Sequence, residues 1–321
     1  MPSEFELIGR YFERSARDAV LGVGDDAALV RAGADCELAI STDMLLEGRH
    51  FLPGAEPRAL GHKALAVNLS DMAAMGARPR WATLAIALPA VDESWLRGFC
   101  EGLFALAERH GVDLIGGDTT RGPLTLAVTI IGEVTRGKAL LRSGARLGDD
   151  IWVSGELGGA ALGLAYLQGR VKLSSEAAWA ACKRLDEPEP RVELGRRLVG
   201  IAHSAIDLSD GFGADLGHIL ERSGLGASVR YGELPRSAAF AHLHNRNLEQ
   251  HCLLSGGDDY ELIFTAAPEA RGALEALGGE LGLRLSRVGS IEAGAATLRL
   301  LDRQGKPMTH AGGFDHFKEA S

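Results

Sequence analysis

The residues of this chain best suited to chemistry are aspartates in short segments rich in glycine or serine, which the composition predicts to be turns. Nine aspartates occur in six such segments, which read Gly24-Asp25-Asp26-Ala27, Ser41-Thr42-Asp43, Asn68-Leu69-Ser70-Asp71, Gly116-Gly117-Asp118-Thr119-Thr120, Asp207-Leu208-Ser209-Asp210-Gly211 and Ser255-Gly256-Gly257-Asp258-Asp259. Carboxylate oxygens suit hard cations such as Mg²⁺, and small neighbours let backbone and ligand approach closely. Two carboxylates about 4 Å apart repel by roughly 4 kcal/mol at an effective dielectric constant of about 20, and a bound cation removes that repulsion. The pattern predicts a Mg²⁺-dependent enzyme that acts on phosphate.

The segment 116–122 carries the clearest sign of phosphate binding. Its glycines free backbone N–H groups for phosphate oxygens, its threonine hydroxyls can donate, and Asp118 can hold Mg²⁺. Arg121 or Arg142 could neutralise phosphate charge, or each could be an ordinary surface ion-pair partner. The turn at 155–159 also has two interpretations, an anion site at a helix N-terminus or a tight strand-to-helix turn.

Three further polar features each keep two interpretations. Asp25-Asp26 follow Gly22-x-Gly24, which superficially resembles a dinucleotide-binding fingerprint. Two carboxylates there would repel a pyrophosphate, so the two remaining interpretations are metal ligation and a solvated turn. Asn68 and Asp71 lie about one turn apart on an apolar helix. They are either a buried hydrogen-bond pair or a ligand site. His50 follows the Ser-Thr-Asp segment closely and either contacts an anionic substrate or is a surface histidine.

The elements that must position these residues alternate in type. In the first half, apolar runs predict strands at 36–42, 81–88, 112–115 and 124–134, with helices at 60–75 and between Asp92 and Gly111. The order β-α-β-α-β-β indicates a mixed α/β layer. The second half mixes strands at 150–154, 205–208, 227–231, 260–266 and 285–292 with helices near 159–168, 191–202, 211–223 and 269–281. A polar, Gly-rich stretch at 137–150 separates the halves, so we expect domains at 1–137 and 149–321.

Bulk composition narrows the classes of function. The 321 residues suffice for two domains, and 46% apolar and 24% charged residues are ordinary for a globular protein. A net charge of −9 argues against a nucleic-acid or anionic-membrane surface. No run of about 18 apolar residues predicts a membrane span. Four separated cysteines and no apolar signal region favour a reduced, cytoplasmic protein.

Signature motifs of several other enzyme classes are missing from the sequence. There is no GxxxxGK[ST] segment, no HRD or DFG element, no HExxH and no Gly-x-Ser-x-Gly elbow. These absences exclude a P-loop enzyme, the protein-kinase arrangement, a zincin and an α/β-hydrolase.

Six strings in order resemble the motifs of the thiamine-monophosphate kinase family, which shares a superfamily with aminoimidazole ribonucleotide synthetase, selenophosphate synthetase and a hydrogenase-maturation protein. The strings are Gly22-Val23-Gly24-Asp25-Asp26, Ile40-Ser41-Thr42-Asp43, Lys63-Ala64-Leu65-Ala66-Val67-Asn68-Leu69-Ser70-Asp71, Leu114-Ile115-Gly116-Gly117-Asp118-Thr119-Thr120-Arg121-Gly122, Ile206-Asp207-Leu208-Ser209-Asp210-Gly211 and Leu254-Ser255-Gly256-Gly257-Asp258-Asp259-Tyr260-Glu261-Leu262. The match runs over nearly the whole chain.

The resemblance implies a two-domain fold like that of aminoimidazole ribonucleotide synthetase, with a mixed-sheet N-terminal domain and an α/β C-terminal domain. It implies a homodimer whose N-terminal sheets pair across the two-fold axis, with ATP in a cleft between the domains. The implied reaction is direct in-line transfer from ATP to thiamine phosphate, giving thiamine diphosphate. No protein nucleophile is expected, because positioning and charge neutralisation supply most of the acceleration in phosphoryl transfer.

The resemblance also assigns residues to three tasks. Several Mg²⁺ ions would be held by Asp26, Ser41, Thr42, Asp43, Asp71, Asp118, Asp207 and Asp210. ATP would be contacted by Gly117, Asp118, Arg142 and Ser209. Thiamine phosphate would be contacted by His50, Glu261 and Phe314.

Two alternatives to this function remain open from the sequence. One is another ATP-dependent member of the same superfamily, with aminoimidazole ribonucleotide synthetase the nearest. The other is a non-catalytic module that binds Mg²⁺ and nucleotide. A selenophosphate synthetase would carry a reactive Cys with a nearby Lys close to the N-terminus, whereas the first cysteine here is Cys36 and no such Lys precedes it.

Overall fold

A computed structural model describes residues 4–23, 27–241 and 243–308 of the chain. The protein divides into two compact units, Met1–Ala139 and Leu140–Ser321. Each unit combines helices with a sheet of mixed strand directions, which confirms the predicted α/β class. The division falls near the start of the Gly-rich segment 137–150.

The first unit is built on a four-stranded sheet whose order is β3-β6-β4-β5. In chain order the elements are α1 (Glu4–Leu7), a π-helical turn (Ile8–Phe12), β1 (Ala19–Leu21), β2 (Leu29–Val30), β3 (Cys36–Leu46), α2 (Pro57–Ala74), β4 (Arg78–Leu88), α3 (Glu93–His110), β5 (Asp113–Arg121) and β6 (Thr125–Thr135). Strand β6 pairs antiparallel with β3 and with β4, whereas β4 and β5 are parallel. Helix α3 provides the crossover that this parallel pair requires.

Helices α2 and α3 pack closely together because glycines face the partner backbone. A Cβ at Gly61 would lie 2.0 Å from the Phe99 carbonyl oxygen, and a Cβ at Gly102 would lie 1.8 Å from the Arg58 carbonyl oxygen. Neither site can accept a side chain without moving a helix. The two helices therefore form one rigid layer beside the sheet.

The two faces of this sheet differ in burial. Alternate side chains of the inner strands, such as Leu84, Val128 and Ile130, are buried on the face that carries the helices. On the other face β3 exposes a row of apolar side chains, with Ile40 63% exposed and Met44 55% exposed. An exposed apolar row of this kind marks a surface suited to association.

The second unit is built on a seven-stranded sheet whose order is β13-β12-β9-β11-β7-β10-β8. Its strands are β7 (Asp150–Ser154), β8 (Ala202–Asp207), β9 (Gly226–Arg230), β10 (Leu262–Ala266), β11 (Leu285–Glu292), β12 (Leu298–Leu301) and β13 (Pro307–Met308). Its helices are α4 (Gly159–Leu167), α5 (Ser175–Asp186), α6 (Val192–Leu198), α7 (Phe212–Ser223), α8 (Arg246–Leu254) and α9 (Arg271–Leu281). Strands β7 and β10 are buried along their whole length, which explains their continuous apolar sequence.

Two of the aspartate segments predicted as turns lie inside strands, and a third lies in the helix predicted at 60–75. The Ser41-Thr42-Asp43 segment lies inside β3, because β6 offers a paired residue opposite each position from Cys36 to Leu46. The segment 116–120 lies inside β5, paired with β4, and 68–71 lies inside α2. Helices α5 and α8 and the short strands β1, β2, β12 and β13 were not predicted.

Candidate functional site

One group of predicted ligands forms where β3 meets α2. The Ser41 hydroxyl donates to Asp71 Oδ2 at 2.5 Å, and the Asp43 backbone N–H donates to Asn68 Oδ1 at 3.2 Å. Asn68 is fully buried and its Nδ2 donates to the Ala64 carbonyl at 3.1 Å. Asn68 is thus a structural residue that fixes β3 against α2 in the region where Asp43 and Asp71, both partly exposed, are located.

This first group has a ligand chemistry that fits Mg²⁺. Ser41, Asp43 and Asp71 offer one hydroxyl and two carboxylates, all of them oxygen donors of the kind that hard cations take. Within residues 4–23, 27–241 and 243–308, no three or more His, Cys, Asp or Glu side chains cluster as a ready metal cage. A divalent ion here would therefore keep other ligands, which is normal for Mg²⁺ because it dehydrates reluctantly and binds phosphates directly.

Thr42 and Asp118 lie on the opposite face of the sheet from this group. Successive side chains of a strand alternate in direction, so Thr42 points away from its neighbour Asp43. The Thr42 hydroxyl lies 2.8 Å from the hydroxyl of Thr129, which is opposite it on β6. Asp118 is opposite Ala85 in the β4–β5 register, and both are exposed.

Within one chain, Asp118 is far from the Asp43 group. Strands β3 and β5 are the two edges of the sheet, separated by three strand spacings of about 4.8 Å, or about 14 Å in all. The structure therefore brings Ser41, Asp43 and Asp71 together but leaves Asp118 on another edge and another face.

Gly117, predicted to contact ATP, is required by close packing within the sheet. A Cβ at this position would lie 1.9 Å from the Leu84 carbonyl oxygen, and the backbone φ is 155°. Only glycine fits so near the neighbouring strand. Glycine is therefore required at position 117 for the packing of the edge strand that carries Asp118.

His50 is held in one orientation by the loop that follows β3. The ring Nδ1 of His50 accepts the backbone N–H of Leu46 at 3.0 Å, and the His50 backbone N–H donates to the Leu46 carbonyl at 2.9 Å. Because Nδ1 is an acceptor here, the neutral ring carries its proton on Nε2. Nε2–H is a donor suited to an anionic oxygen.

A second group lies in the second unit, where two predicted segments are joined by backbone hydrogen bonds. Asp258 N–H donates to the Ser209 carbonyl at 3.0 Å, and Tyr260 N–H donates to the Leu208 carbonyl at 2.8 Å. A Cβ at Gly257 would lie 2.1 Å from the same Ser209 oxygen. The segments 207–211 and 255–261 are therefore one folded unit, with Asp207 buried and Ser209 and Asp210 partly exposed.

Asp215 is a component of this second group that was not predicted. It is 2% exposed, and its Oδ2 accepts the backbone N–H groups of Asp210 and Gly211, both at 3.1 Å. Burial, followed by the charges of Asp207 and Asp210, raises the pKa of Asp215 to about 8. Its place in the first turn of α7, directly after an Asp-Gly pair, was the available sequence signal.

Glu261, which the resemblance assigns to thiamine phosphate, is 0% exposed and its oxygens are already engaged. Ser154 Oγ donates to Oε2 at 2.6 Å, Arg184 donates to Oε1 at 3.0 Å, and Arg191 binds both oxygens with its fork. A Cβ at Gly155 would lie 2.0 Å from Oε1, so glycine is needed beside this carboxylate. Arg184 and Arg191 were not predicted as members of the site.

Asp259 decides between the two interpretations of the turn at 155–159. Its Oδ2 accepts the Gly158 N–H at 2.8 Å, at the start of α4, and so occupies the N-terminal end of that helix. Burial is the main cause that raises the pKa of Asp259 to about 8. The turn is a tight strand-to-helix connection in which the protein's own Asp259 accepts the Gly158 N–H.

Three predicted site residues remain to be placed. Arg142 lies in an exposed 3₁₀ turn (Arg142–Gly144), and its carbonyl accepts the Ser223 hydroxyl at 3.1 Å. Asp26 and Phe314 lie outside the described residues. None of the helices in the described ranges is long and apolar enough to cross a membrane.

Comparisons with known proteins agree over the length of the chain. Residues 24–134 match the family model described as AIR synthase related protein, N-terminal domain. The chain is 48% identical over 319 residues to thiamine-monophosphate kinase of Salmonella typhimurium, covering 98% of each chain.

Two solved structures extend this agreement to the fold. Thiamine-monophosphate kinase from Stenotrophomonas maltophilia K279a matches with a TM-score of 0.85 and 48% identity, over 94% of this chain and 95% of that chain. AaThiL complexed with AMPPCP and TMP matches with a TM-score of 0.78 and 30% identity, over 92% of both chains. The chain therefore belongs to the thiamine-monophosphate kinase family.

Proposed function

We propose that this protein transfers the terminal phosphoryl group of ATP to thiamine phosphate, giving ADP and thiamine diphosphate. The observation that carries this proposal is the 48% identity over 98% of both chains to a thiamine-monophosphate kinase. A relative with the same fold that is complexed with AMPPCP and TMP supports the choice of donor and acceptor.

Mg²⁺ is the cofactor that the carboxylate groups favour. In the first unit Ser41, Asp43 and Asp71 would hold it, and in the second unit Asp207 and Asp210 offer further oxygen ligands. Thr42, Asp118 and Asp26 complete the proposed ligand set. When bound, Mg²⁺ supplies charge neutralisation between donor and acceptor phosphates and aligns them.

The protein's own groups orient the substrates rather than form a covalent bond to them. The acceptor is already a phosphate monoester, whose oxygen is nucleophilic, so no strong general base is required. His50 presents Nε2–H to an anionic oxygen, and Gly117, Ser209 and Arg142 are proposed contacts of the ATP phosphates. These groups act by positioning, which together with electrostatics accounts for most catalysis of in-line phosphoryl transfer.

Glu261 is proposed to serve substrate binding through the two arginines that it holds. Its bidentate pair with Arg191 and its hydrogen bond with Arg184 fix both guanidinium groups at the end of a buried strand. A planar guanidinium held in this way is suited to an anionic ligand. Phe314 remains the proposed stacking partner of the organic ring.

We further propose that the protein is a homodimer in which the exposed face of the four-stranded sheet is buried. The face carries Leu38, Ile40 and Met44, which is unusual for a surface in permanent contact with water. Its two edges, β3 and β5, are the strands that carry Asp43 and Asp118. If β3 of one copy lies beside β5 of the other, Asp118 of one chain approaches Thr42 and Asp43 of its partner.

A cytoplasmic location is proposed from the state of the cysteines. All four are free thiols, and burial raises the pKa of Cys100 and of Cys252 to about 12. Thiols kept reduced and unreactive in this way are typical of proteins in reducing compartments.

One assay tests the proposed reaction. The protein is incubated with MgATP and thiamine phosphate, and thiamine diphosphate is followed by chromatography, with reactions lacking acceptor or Mg²⁺ as controls. Stoichiometric ADP and thiamine diphosphate are expected. Bound ATP without turnover would instead identify a nucleotide-binding module and refute the kinase assignment.

A further inference from the structure

Asp215 is a buried carboxyl group to which none of the roles above has been given. Its side chain is 2% exposed and lies in the first turn of α7. Its Oδ2 accepts the backbone N–H groups of Asp210 and Gly211, both at 3.1 Å. One oxygen atom therefore ties the backbone just before α7 to the first turn of that helix.

The contact between Asp215 and Gly211 is reciprocal. The Asp215 backbone N–H donates to the Gly211 carbonyl at 3.0 Å, while the Asp215 side chain accepts the Gly211 N–H. This arrangement resembles a capping box, in which a side chain of the first helical turn reaches back to the backbone before the helix. Gly211 has a φ of 109°, and a Cβ there would lie 2.8 Å from the Ser255 carbonyl carbon. The turn into α7 therefore requires glycine, and Asp215 closes it.

The rest of the segment 207–211 is held from a different direction. Three backbone hydrogen bonds of 2.8–3.0 Å join the segment 258–261 to Leu208 and Ser209. Asp215 adds an attachment at Asp210, the next residue along the chain. Asp210 is partly exposed although its backbone is fixed in this way. The segment therefore presents a carboxylate to solvent from a backbone that is held on both sides.

We propose that Asp215 is a positioning residue for the reaction, which holds the Asp210 backbone so that the Asp210 carboxylate is presented to a divalent cation. This inference rests on the proposed function, in which Asp207 and Asp210 offer oxygen ligands to Mg²⁺. Asp215 itself is buried, and it acts through Asp210 rather than by contact with the cation or with a substrate.

The physical reason is that a carboxylate binds a cation best when its orientation is fixed in advance. Without the Asp215 acceptor, two backbone N–H groups lose their partner, and the turn relaxes to recover hydrogen bonds elsewhere. The Asp210 carboxylate then has more orientations to lose on binding a cation. Removal of a group that orients a metal ligand typically lowers metal affinity or activity by about 10–100-fold.

Titration of the full-length protein with Mn²⁺ alone, followed by electron paramagnetic resonance, tests the proposal without any turnover. Mn²⁺ accepts the same oxygen ligands as Mg²⁺. The binding that is lost in Asp210→Asn identifies the ion held by the second group. Asp215→Ala is expected to weaken binding of that ion about tenfold. Asp215→Asn keeps an acceptor oxygen of the same reach and should bind the ion as the unaltered protein does.

Kinetics supply a second readout. In Asp215→Ala the Mg²⁺ concentration for half-maximal turnover should rise about tenfold. The KM for thiamine phosphate should stay constant, because the proposed contacts of the acceptor are not altered.

Asp150→Asn is the matched control for the loss of a buried carboxylate. Asp150 is also 2% exposed, and its two oxygens accept hydrogen bonds from Arg271 at 2.6 and 2.8 Å. Its replacement should lower the Tm but leave the Mn²⁺ titration unchanged. The control therefore separates a general loss of stability from a loss of positioning.

Gly211→Ala tests the same contact from its other side and serves if Asp215→Ala does not fold. The change leaves every carboxylate in place, but the added Cβ displaces the backbone that Asp215 holds. It should therefore weaken Mn²⁺ binding as Asp215→Ala does.

Three results would overturn the assignment of Asp215. One is normal Mn²⁺ binding in Asp215→Ala or, where that variant does not fold, in Gly211→Ala. The second is equal loss in Asp215→Asn and Asp215→Ala, because the cation would then require the charge of Asp215 and not its acceptor oxygen. The third is unchanged binding in Asp210→Asn, because the second group would then hold no cation.

None of these results bears on the kinase reaction as long as the unaltered protein forms thiamine diphosphate. Failure of that turnover assay, in contrast, would refute the kinase reaction and leave the Mn²⁺ titrations as they are.

Discussion

The two carboxylate groups of this chain are held in different ways. In the first unit, Asp43 and Asp71 stand on a strand and a helix and are partly exposed, with Ser41 and Asn68 as hydrogen-bond partners of the segment. In the second unit, Asp215 in α7 and Asp259 accept backbone N–H groups, and Glu261 is paired with arginines. The buried carboxylates hold segments of the second unit together, whereas Asp43 and Asp71 are partly exposed and are proposed to bind a cation.

The sharpest test of this contrast is Asp43→Asn. Loss of a carboxylate from the exposed group is expected to lower turnover by more than ~100-fold while the fold stays intact, because a ligand to the cation is lost. Steady-state kinetics at saturating Mg²⁺, with circular dichroism, measure both properties. Asp35→Asn, at an exposed position just before β3, is the matched control and should retain activity. Near-normal turnover of the Asp43 variant would make that carboxylate structural.

Glu261→Gln tests the role of the buried carboxylates in the second unit. The change removes the buried carboxylate that binds Arg184 and Arg191, so the free energy of unfolding is expected to fall by about 3–5 kcal/mol. Urea denaturation measures the change. Glu193→Gln removes an exposed ion pair with Arg196 and should alter stability by less than about 1 kcal/mol. Equal effects of the two substitutions would show that Glu261 is not the anchor of the loops.

Mixing two inactive variants tests whether Asp43 and Asp118 act across a dimer. Asp43→Asn and Asp118→Asn proteins are each expected to be inactive alone. After subunit exchange, half of the dimers are mixed and each has one intact site, so activity should recover to about a quarter of normal. Recovery requires that the two aspartates come from different chains. If exchange is demonstrated by mass and the mixture stays inactive, the proposed arrangement of β3 beside the partner's β5 is wrong.

The smallest expected effect concerns the pH dependence of stability. The pKa of Asp259 is raised from 3.8 to about 8 in the folded protein, so the folded state keeps a proton that the unfolded chain releases. Stability contributed by this group is therefore present at low pH and falls as pH rises from about 4 to about 8. Asp259→Asn should flatten this curve, measured by urea denaturation without Mg²⁺, because an amide does not titrate in this range. An unchanged slope, equal to that of Asp35→Asn, would contradict the raised pKa.

Local signals predicted some elements well and others poorly. Both ends of α3 follow from the sequence, because Asp92 caps its first turn and Gly111 adopts a φ of 66° after its last. The predicted turns at Asp43 and Asp118 became strands, because pairing with a neighbouring strand outweighs the turn preference of small polar residues. Helices α5 and α8 are more polar in composition than α4, α7 and α9, so no apolar run marked them in the sequence.

The sequence by itself determined the α/β class, the ends of the best-capped helix and the set of aspartates, because caps, apolar runs and carboxylate chemistry are properties of neighbouring residues. Only the tertiary structure decided which carboxylates are buried and bound by the protein's own N–H and guanidinium groups. Thr42 and Asp43 are adjacent in sequence yet point to opposite faces, and Glu261 lies within reach of arginines 70 and 77 residues away. Side-chain direction depends on strand pairing, and charge compensation depends on contacts between distant segments, so neither is encoded in a local motif.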